Sequence, residues 1–511
     1  MKKYLIYCCT ALLIAGAFLP GCTKLDSKVY NQVTPKNFFQ TPAQVNAALA
    51  PAYSPMTALP CGNLFQCNEV TADELIIPTR GNDWYDGGQH QQLWLHTFTY
   101  TNPNVNGAWS EISRGVAQCN FVLNILNTLP AASKPANFLQ IAAEIKVMRA
   151  YYYLKFMDLF GSVPLVTDFN TDPNKTVQST RAQVYAFLES ELKTNVPLLQ
   201  LNTAAEYGHM TKYGGYMVLA HLYLNAQVYT GTAQWANAAA VADTVIKSGH
   251  YSLQPNFLDN FIVQNEGSVE NIFVVPFNYL YIGGMEMIVN SLNYNNIATY
   301  NLTGQPYNGW CSPTPFFRSF TSDDARAKMW AIGQQYSASG EPLTDKATGL
   351  KVSFSPYVLQ LSNPADSFKF AGARSIKYAP QPNTYTDASN SGVIYRLGDA
   401  YLIGAEANLR LGNAPAALTL VNALRTRAGV APWTLSDLTL PNLLAERGRE
   451  LAWDGFRRED LIRFEVADGI PYFTGARLPD KPQDPDKHTF ILPIPQAQLN
   501  TNPKLIQNPG Y

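Results

Sequence analysis

Hydrophobic residues recur at helical spacing in several long stretches of the chain. Thr41 and Pro42 suit the N-cap and first position of a helix, and apolar residues follow at three- and four-residue intervals as far as Tyr53. The same period predicts a helix over about 108–129 and a stronger one over about 136–161, which Gly161 ends. We expect an extended segment directly after it, at 163–166.

Some helix pairs carry small residues at the spacing typical of tetratricopeptide repeats. In the clearest pair, Ala405, Gly412 and Ala417 allow the two helices to approach closely, and Gly412 makes the turn. The other candidate pairs are 211–248 and 139–160 with 180–199. A long loop-rich stretch separates the clearest pair from the others, so the pattern predicts a mainly α, tetratricopeptide-like helical-hairpin scaffold and not a continuous solenoid.

Two stretches, 60–106 and 251–390, lack a helical period and are rich in turn residues. Within the second, 272–277 has the composition of a strand, and 313–330 predicts a short helix with a capped turn at 322–324. The expected architecture is therefore a helical scaffold with long loop-rich insertions and a few short strands. We predict an N-terminal region (42–250), the insertion (251–390) and a C-terminal region (391–511), which together form one composite globular unit.

Charged residues make up 15% of the chain, against roughly 25% in an average domain, but they crowd together in one stretch. Residues 446–464 read E-R-G-R-E-L-A-W-D-G-F-R-R-E-D-L-I-R-F, with five acids, five arginines and interleaved large apolar residues. We expect a helix interrupted by Gly455 and a partly buried network of arginine–carboxylate pairs. The alternative is a functional site, with Glu446 and Glu450 as paired acids or the arginines as an anion site. Because the charges cancel, no net field would draw a ligand there.

The first 22 residues have the pattern of a targeting segment. Lys2 and Lys3 precede an apolar run that ends in Leu19-Pro20-Gly21-Cys22, and this ending resembles a bacterial lipobox. We predict a signal peptide over 1–21, lipidation of Cys22 and a polar tether over 22–41, which would anchor the protein to a membrane without crossing it. A plain secretory signal, with Cys22 incidental, is the alternative.

Composition narrows the classes of ligand. The net charge is −1 and no basic stripe is present, which argues against nucleic acid, and 29 tyrosines suit sugars or peptides better than highly charged ligands. Seven cysteines are present, and an oxidising compartment would allow a disulfide between Cys61 and Cys67. The cysteines form no C-x-x-C motif and the histidines show no metal-ligand spacing, so we expect no metal and no cofactor.

Nucleophile-elbow, phosphate-loop, dinucleotide and zinc-protease motifs are absent from the sequence. His90 and His96 lie close together, but a loop pair without a third ligand is a weak metal signal. Glycoside hydrolysis needs only two carboxylates, so a hydrolase stays an alternative. Its candidate acids are Asp73, Glu74, Asp83 and Asp86.

A binding site fits the residues better than a catalytic one. Sugar rings stack their C–H faces on aromatic side chains, and their hydroxyls require polar partners nearby. The first candidate group is Arg80, Asn82, Asp83, Trp84, Tyr85 and Asp86, in a glycine-rich loop. The second candidate group is Tyr294, Tyr300, Tyr307 and Trp310. The alternative for Trp84 is a ring buried against the scaffold.

Four separated segments resemble one family. The stretch 446–464 is similar to the C-terminal signature of the SusD/RagB family. The other matching segments are the start L-D-S-K-V-Y-N-Q-V-T-P-K-N-F-F-Q-T-P-A-Q-V-N-A-A-L (25–49), the helix around A-Y-Y-Y-L-K-F-M-D-L-F-G (150–161), and the ending I-L-P-I-P-Q-A-Q-L-N-T-N-P-K-L-I-Q-N-P-G-Y (491–511). The resemblance covers nearly the whole mature chain, and in that family the signature is architectural.

The resemblance implies a SusD-like fold and a non-catalytic, lipid-anchored protein on the outside of the outer membrane. Such a protein captures nutrient oligosaccharides and delivers them to a SusC-like, TonB-dependent barrel; a peptide ligand is the main variation. Two alternatives remain, a secreted glycoside hydrolase and a tetratricopeptide scaffold that binds protein partners.

Overall fold

Helices dominate the computed structural model, which describes residues 41–131, 134–476, 481–484 and 486–511. The predicted signal peptide, Cys22 and nearly all of the predicted tether lie outside these residues. The α-helices are α1 (Pro42–Tyr53), α2 (Asn63–Glu69), α3 (Gln89–Leu95), α4 (Pro103–Thr128), α5 (Phe138–Phe160), α6 (Arg181–Asn195), α7 (Lys212–Leu224), α8 (Ala226–Thr230), α9 (Trp235–Ile246), α10 (Met287–Ser291), α11 (Ile297–Tyr300), α12 (Thr314–Phe317), α13 (Leu397–Arg410), α14 (Ala414–Arg427), α15 (Leu440–Glu450), α16 (Arg457–Asp468) and α17 (Gln496–Thr501).

The strands of the described residues are short and pair in antiparallel twos. They are β1 (Val163–Pro164), β2 (Gln178–Ser179), β3 (Asn271–Val275), β4 (Trp330–Ala331), β5 (Gly333–Gln334), β6 (Ser353–Phe354), β7 (Arg374–Ser375) and β8 (Gly392–Arg396). The pairs are β1–β2, β3–β8, β4–β7 and β5–β6, and the β3–β8 pair is buried along its whole length. Pairing of β3 with β8 fastens the two ends of the predicted insertion to each other.

Local sequence signals set several helix ends as predicted. Thr41 caps α1 through a reciprocal pair of hydrogen bonds with Gln44. Gly161 ends α5 at φ +71°, and Gly412 makes the turn between α13 and α14 at φ +79°, a region that favours glycine. The mainly α architecture with helical hairpins is thereby confirmed, whereas the division into 42–250, 251–390 and 391–511 stays a prediction.

The helical hairpins stack on one another. Helix α5 packs on α4 and α6, while α9 packs on both α7 and α13, and α13 on α14. The hairpin that follows the insertion therefore lies directly beside one that precedes it. Helix packing, and not sequence order, makes the scaffold continuous.

Two sequence-based expectations about local structure are wrong. The stretch 60–106 contains α2 and α3, whose few turns are too short to display a clear helical period. The sequence pattern of the 211–248 pair predicts a first helix that includes Ala226, but this helix ends at Leu224, and Ala226 begins a separate short helix because Asn225 interrupts the regular backbone.

The predicted arginine–carboxylate network is confirmed, and it is buried. Glu450 has no solvent exposure and pairs with Arg396 at 2.6 Å, Arg326 at 3.0 Å and also Arg427. Burial alone would raise the pKa of Glu450, but the three arginines lower it to about 2. Glu446 is equally buried and pairs with Arg326 at 2.8 Å, so the two glutamates act in the architecture and face no solvent.

The break between α15 and α16 attaches the loops to the scaffold. Trp453 and Gly455 adopt φ values of +57° and +85°, as the predicted interruption requires. The Trp453 backbone N–H donates to the Glu74 carboxylate and its indole N–H donates to the Glu74 carbonyl, both at 2.9 Å. Arg457 pairs with Asp73 at 2.6 Å. The charged stretch thus fixes the segment that leads into the first candidate site.

The disulfide considered between Cys61 and Cys67 is absent, and both thiols are free and buried. Cys61 donates to the Gly284 carbonyl and Cys67 to the Asn104 carbonyl, so the two side chains have different partners. Burial raises the pKa of Cys61 to about 12, which keeps its thiol protonated and unreactive.

None of the described helices is both long enough and apolar enough to cross a bilayer.

Candidate functional site

The first candidate loop forms a tight turn that projects its side chains outward. The backbones of Arg80 and Asp83 exchange hydrogen bonds of 3.0 and 3.2 Å, which leaves Gly81 and Asn82 at the tip. Gly81 has a φ of +66°, a value that a turn of this kind requires and glycine accepts readily. Just before the turn, Thr79 donates its backbone N–H to the Leu361 carbonyl at 2.7 Å. The loop is therefore fixed to the insertion and not free.

Trp84 links this loop to the second candidate group. Its indole N–H donates to the Tyr307 carbonyl at 2.7 Å, and its ring lies against Gly309, where an added Cβ would come within 2.2 Å of the ring. Trp84 has a φ of +63° and is half-buried. The ring thus acts as a wedge between loops, while Tyr85, which is 55% exposed, remains as the open aromatic surface.

Asp83 and Tyr294 form the second link. The Tyr294 hydroxyl donates a hydrogen bond to the Asp83 carboxylate. Burial, and then the hydrogen bond to Asp83, raise the pKa of Tyr294 well above its ordinary value, so this hydroxyl stays protonated at physiological pH. Asn82 and Asp86 are exposed beside the pair. We define the candidate ligand face as the loop 81–88 together with Tyr294 and Tyr307.

Arg80 does not belong to this face, which corrects the sequence-based assignment. It is 1% exposed, and its guanidinium donates to the carbonyls of Phe368 and Ala371, the latter at 2.7 Å. In this inward orientation the side chain holds the 366–371 segment through two of its carbonyls. Arg80 therefore supports the ligand face from beneath.

A second buried arginine, Arg374, also supports the ligand face from beneath. The sequence analysis did not single it out. It has no exposure and donates to Asn308 Oδ1 at 2.9 Å and to the Lys369 carbonyl at 3.1 Å. Burial, and then repulsion from Arg80, lower the pKa of Arg374 to about 9. Neither guanidinium forms an ion pair with a carboxylate among the residues that the structure describes. Arg80 also donates to Cys311 Sγ at 3.3 Å, and the other acceptors of the two guanidiniums are neutral oxygens. Together the two arginines join four loop segments below the face.

Trp310 is also wrongly assigned. It has no solvent exposure, stacks on Phe65 at a centroid distance of 5.3 Å and meets Trp453 edge-on at 6.2 Å. These contacts make it a core residue. Tyr300, at the end of α11, is half-buried and packs against the hydrophobic core, and nothing in the described chain joins it to the loop of Tyr85.

Tyr307 is at the margin of the face, where it meets a residue that the sequence analysis did not single out. The rings of Tyr307 and Tyr385 are 5.7 Å apart and edge-on, and their hydroxyls interact. Tyr385 also lies over Gly304, where an added Cβ would come within 2.9 Å of its ring. Gly304 was the sequence signal that could have indicated this contact, because a glycine permits close approach of an aromatic ring.

The face is an open surface with both apolar and polar character. Tyr85 offers an aromatic ring, Asn82 an amide, and Asp83 and Asp86 carboxylates, all in one short loop. Two cavities of about 410 and 520 Å³ lie elsewhere in the described chain. An open, rigid face of this kind suits a chain-like polar ligand better than a small enclosed one.

Of the four acids considered for hydrolysis, two make structural contacts and two are exposed at the surface. Asp73 is paired with Arg457, and Glu74 is fully buried beneath Trp453. Of the four, Asp83 and Asp86 alone are exposed, and Asp83 already accepts the Tyr294 hydroxyl. The two exposed acids therefore offer hydrogen-bond acceptors to a ligand.

The two loop histidines have separate partners. His90 contacts Asp86 at 3.4 Å, and His96 contacts Asp484 at 3.2 Å and the Thr71 carbonyl at 2.8 Å. One group in the described chain brings three potential metal ligands within 4.8 Å of one another, namely Asp484, Asp486 and His488. Asp484 is already bonded to His96 and Thr489, so this group is accounted for by protein contacts.

Comparison with known proteins agrees with this architecture. Residues 246–511 match the model of the SusD family, and residues 25–224 match a model described as "Starch-binding associating with outer membrane". The starch-binding protein SusD of Bacteroides thetaiotaomicron is 24% identical over 502 residues, covering 88% of this chain and 85% of that protein.

Solved structures extend the likeness to the fold. Surface glycan-binding protein A from Bacteroides uniformis has a TM-score of 0.75 at 21% identity, over 92% of this chain and 99% of that one. Surface glycan-binding protein A from Bacteroides thetaiotaomicron, solved with laminarihexaose, has a TM-score of 0.73 at 20% identity, over 91% and 99%. At these identities the structures establish the shared fold.

Proposed function

The chain belongs to the SusD/RagB family, and on that basis we propose that it is a non-catalytic, lipid-anchored protein of the outer-membrane surface. It captures nutrient oligosaccharides and delivers them to a SusC-like, TonB-dependent barrel. The relatives whose names state a ligand bind starch or laminarin-type glucans, which supports a glycan as the ligand class.

The observation that carries the proposal is the candidate ligand face. Tyr85 presents an open ring to the C–H face of a sugar, while Asn82 and Asp83 lie close by to bond its hydroxyls. Asp83 is held in place by Tyr294, so little ordering is needed when the ligand arrives. Neutral rings and hydroxyl partners favour an oligosaccharide over a strongly charged ligand.

Binding without hydrolysis is proposed because the candidate acids already have other contacts within the protein. Of the four candidate acids, Asp73 is paired with Arg457, Glu74 is buried and accepts the Trp453 backbone N–H, and the exposed Asp83 accepts the Tyr294 hydroxyl. Glycoside hydrolysis would need one carboxyl group with a raised pKa opposite a second one across the bond to be cut. The exposed loop provides acceptors that suit binding.

Anchoring and delivery rest on the sequence and the family. The lipobox-like Leu19-Pro20-Gly21-Cys22 supports lipidation at Cys22, and one matching family model is described as associating with the outer membrane. Replacing Cys22 by alanine should move the protein from the membrane fraction to the soluble one. A Cys22→Ala protein that stays in the membrane fraction would refute the anchor, and failure of the native protein to co-purify with any TonB-dependent barrel would refute delivery.

Binding is tested with the soluble form that starts after Cys22. It is run through native gels that contain starch, laminarin, mannan, xylan or pectin, and the same mixtures are assayed for released sugars. We expect retardation by one of these polysaccharides and no released product. Retardation by none of them, with binding of a peptide digest instead, would replace the glycan by a peptide; released sugars would make the protein a hydrolase.

A further inference from the structure

A second cleft lies on the helical scaffold, away from the candidate ligand face. It has a volume of about 520 Å³, within the roughly 300–1,000 Å³ usual for small-molecule sites. Its walls are α4, the loop of residues 164–174 that follows β1, and the C-terminal segment around α17. None of the residues of the candidate ligand face lines it.

Buried side chains hold the 164–174 loop in place, so the cleft is preformed. The Tyr153 hydroxyl bonds to the backbone of Val166, donating to its carbonyl at 2.9 Å and accepting its N–H at 2.7 Å. Asn120 donates to the same carbonyl at 2.8 Å. At the other end of the loop, Asn502 donates to the Pro173 carbonyl at 3.1 Å. A loop fixed at both ends cannot collapse into the space without losing these bonds.

Aromatic rings and unused polar groups share the lining. Trp109 and Phe156 form an apolar wall, and Phe169 stands at the rim with 48% of its surface exposed. The side chains of Arg114 and Gln498 line the same cleft and make no hydrogen bond with any other described residue. The Phe169 ring packs against Phe121 at a centroid distance of 5.5 Å, which fixes its position, and the other part of its surface faces the cleft beside Arg114 and Gln498.

We propose that this cleft is a second carbohydrate-binding site, which takes a short, uncharged oligosaccharide segment. Phe169 would cover the C–H face of one sugar ring, and the guanidinium of Arg114 and the amide of Gln498 would bond its hydroxyls. Asp168 lines the same cleft and offsets the charge of Arg114, so the site carries no net charge that would select an acidic sugar. The residues that would hold the sugar all line the cleft and are separate from those of the candidate ligand face.

Hydroxyl-radical footprinting of the soluble form tests both sites in one sample. The oxidation rates of Phe169 and Tyr85 are followed by mass spectrometry with mixed short oligosaccharides cut from starch, laminarin, mannan, xylan and pectin, each at millimolar concentration. We expect at least one mixture to slow Phe169 oxidation about threefold or more. Arg114→Ala should abolish that protection and leave any protection of Tyr85 intact. Asn127→Ala, an exposed change on the same helix that does not line the cleft, should alter neither rate.

The possible results distinguish failure of this second site from failure of the proposed function. Protection of Tyr85 without protection of Phe169 by any mixture overturns the second site and leaves the ligand face standing. Protection of Phe169 without that of Tyr85 supports the cleft and counts against the face. Protection of Phe169 that survives Arg114→Ala, or that comes from a peptide digest alone, refutes the assignment of a carbohydrate to the cleft.

Discussion

The Tyr294 hydroxyl donates a hydrogen bond to the carboxylate of Asp83, which is 211 positions away in the sequence. This bond joins the first candidate loop to the insertion at the surface, directly above the buried guanidiniums of Arg80 and Arg374. Since the pKa of Tyr294 is raised, the donor persists across the physiological pH range. The relationship makes Asp83 a fixed acceptor with one oxygen free for a ligand.

Replacing Tyr294 by phenylalanine tests that relationship. The ring remains but the donor is lost, so Asp83 must be ordered by the ligand, and we expect glycan affinity to fall about tenfold, or about 1.4 kcal/mol. Isothermal calorimetry with the polysaccharide that retards the wild-type protein measures it. Tyr336→Phe, which alters a tyrosine that is 50% exposed outside the face, is the matched control. Equal affinities for wild type and Tyr294→Phe would remove this hydroxyl from the site.

Tyr85 should act through its ring and not through its hydroxyl. Tyr85→Ala removes the exposed stacking surface and should weaken binding by roughly 1–2 kcal/mol, whereas Tyr85→Phe should bind almost as the wild type does. Tyr357→Ala, which removes another exposed ring, should have no effect. If Tyr85→Phe lost as much affinity as Tyr85→Ala, the stacking role would be wrong.

Gly309→Ala should displace Trp84 without touching the exposed surface. The new Cβ would lie 2.2 Å from the indole ring, so the ring has to move and its bond to the Tyr307 carbonyl is strained. We expect a shift in tryptophan fluorescence together with at least a tenfold loss of affinity. Gly267→Ala has open space around it and serves as the control. Unchanged fluorescence and affinity would show that Trp84 does not organise the loop.

Glu450 should be essential to the fold. Glu450→Ala leaves three arginines facing a buried space without their shared carboxylate, and losing one partner of a buried pair costs about 3–5 kcal/mol. Urea denaturation measures the loss, with Glu341→Ala, an exposed change, as the control. A loss below about 1 kcal/mol would contradict the structural role of the network.

Stability should depend on pH through His221. It lies 2.6 Å from Asp399 and 2.8 Å from Glu459; burial opposes its charge, but the two carboxylates raise its pKa to about 9. Below the unfolded pKa of about 6.5 this stabilisation is complete. It is lost as the pH rises through about 9, by about 1.4 kcal/mol per pH unit and on the order of 3 kcal/mol in total.

The free energy of unfolding at pH 6, 7.5 and 9 checks this dependence. His221→Gln should be less stable than the wild type at pH 6 and should lose the alkaline decline that belongs to this residue. Lys155, whose ammonium lies 3.4 Å from Glu459, remains charged over the range because its pKa is raised. A wild-type stability that rises between pH 6.5 and 9, or a decline that His221→Gln retains in full, would contradict the assignment.

The helical scaffold could be predicted because its signals are local. The cap at Thr41, the long apolar pattern before Gly161 and the small residues around Gly412 each act within a few turns of helix. The charged stretch was also interpretable, since arginines beside Trp453 and Phe456 indicate burial. Helices α2 and α3 were missed because two turns carry too few residues to show a period.

The candidate site was only partly predictable because long-range contacts decide which loop residues are exposed. Tyr85 and Trp84 have similar local sequence surroundings, yet Trp84 is held by Tyr307 and Gly309, while Tyr85 faces solvent. Trp310 is drawn into the core by Phe65, which is far from it in the sequence. Composition suggests a sugar-binding loop but does not show which side of it points outward.

The most direct test of the proposed function combines binding and turnover on one pair of proteins. Calorimetry of the wild type and of Tyr85→Ala is run with the polysaccharide that retards the wild-type protein in native gels. Each mixture is also assayed for released sugars. We predict that the wild type binds and releases nothing, and that Tyr85→Ala binds at least tenfold more weakly. Released sugars, or equal affinity of the two proteins, would contradict glycan capture by this face.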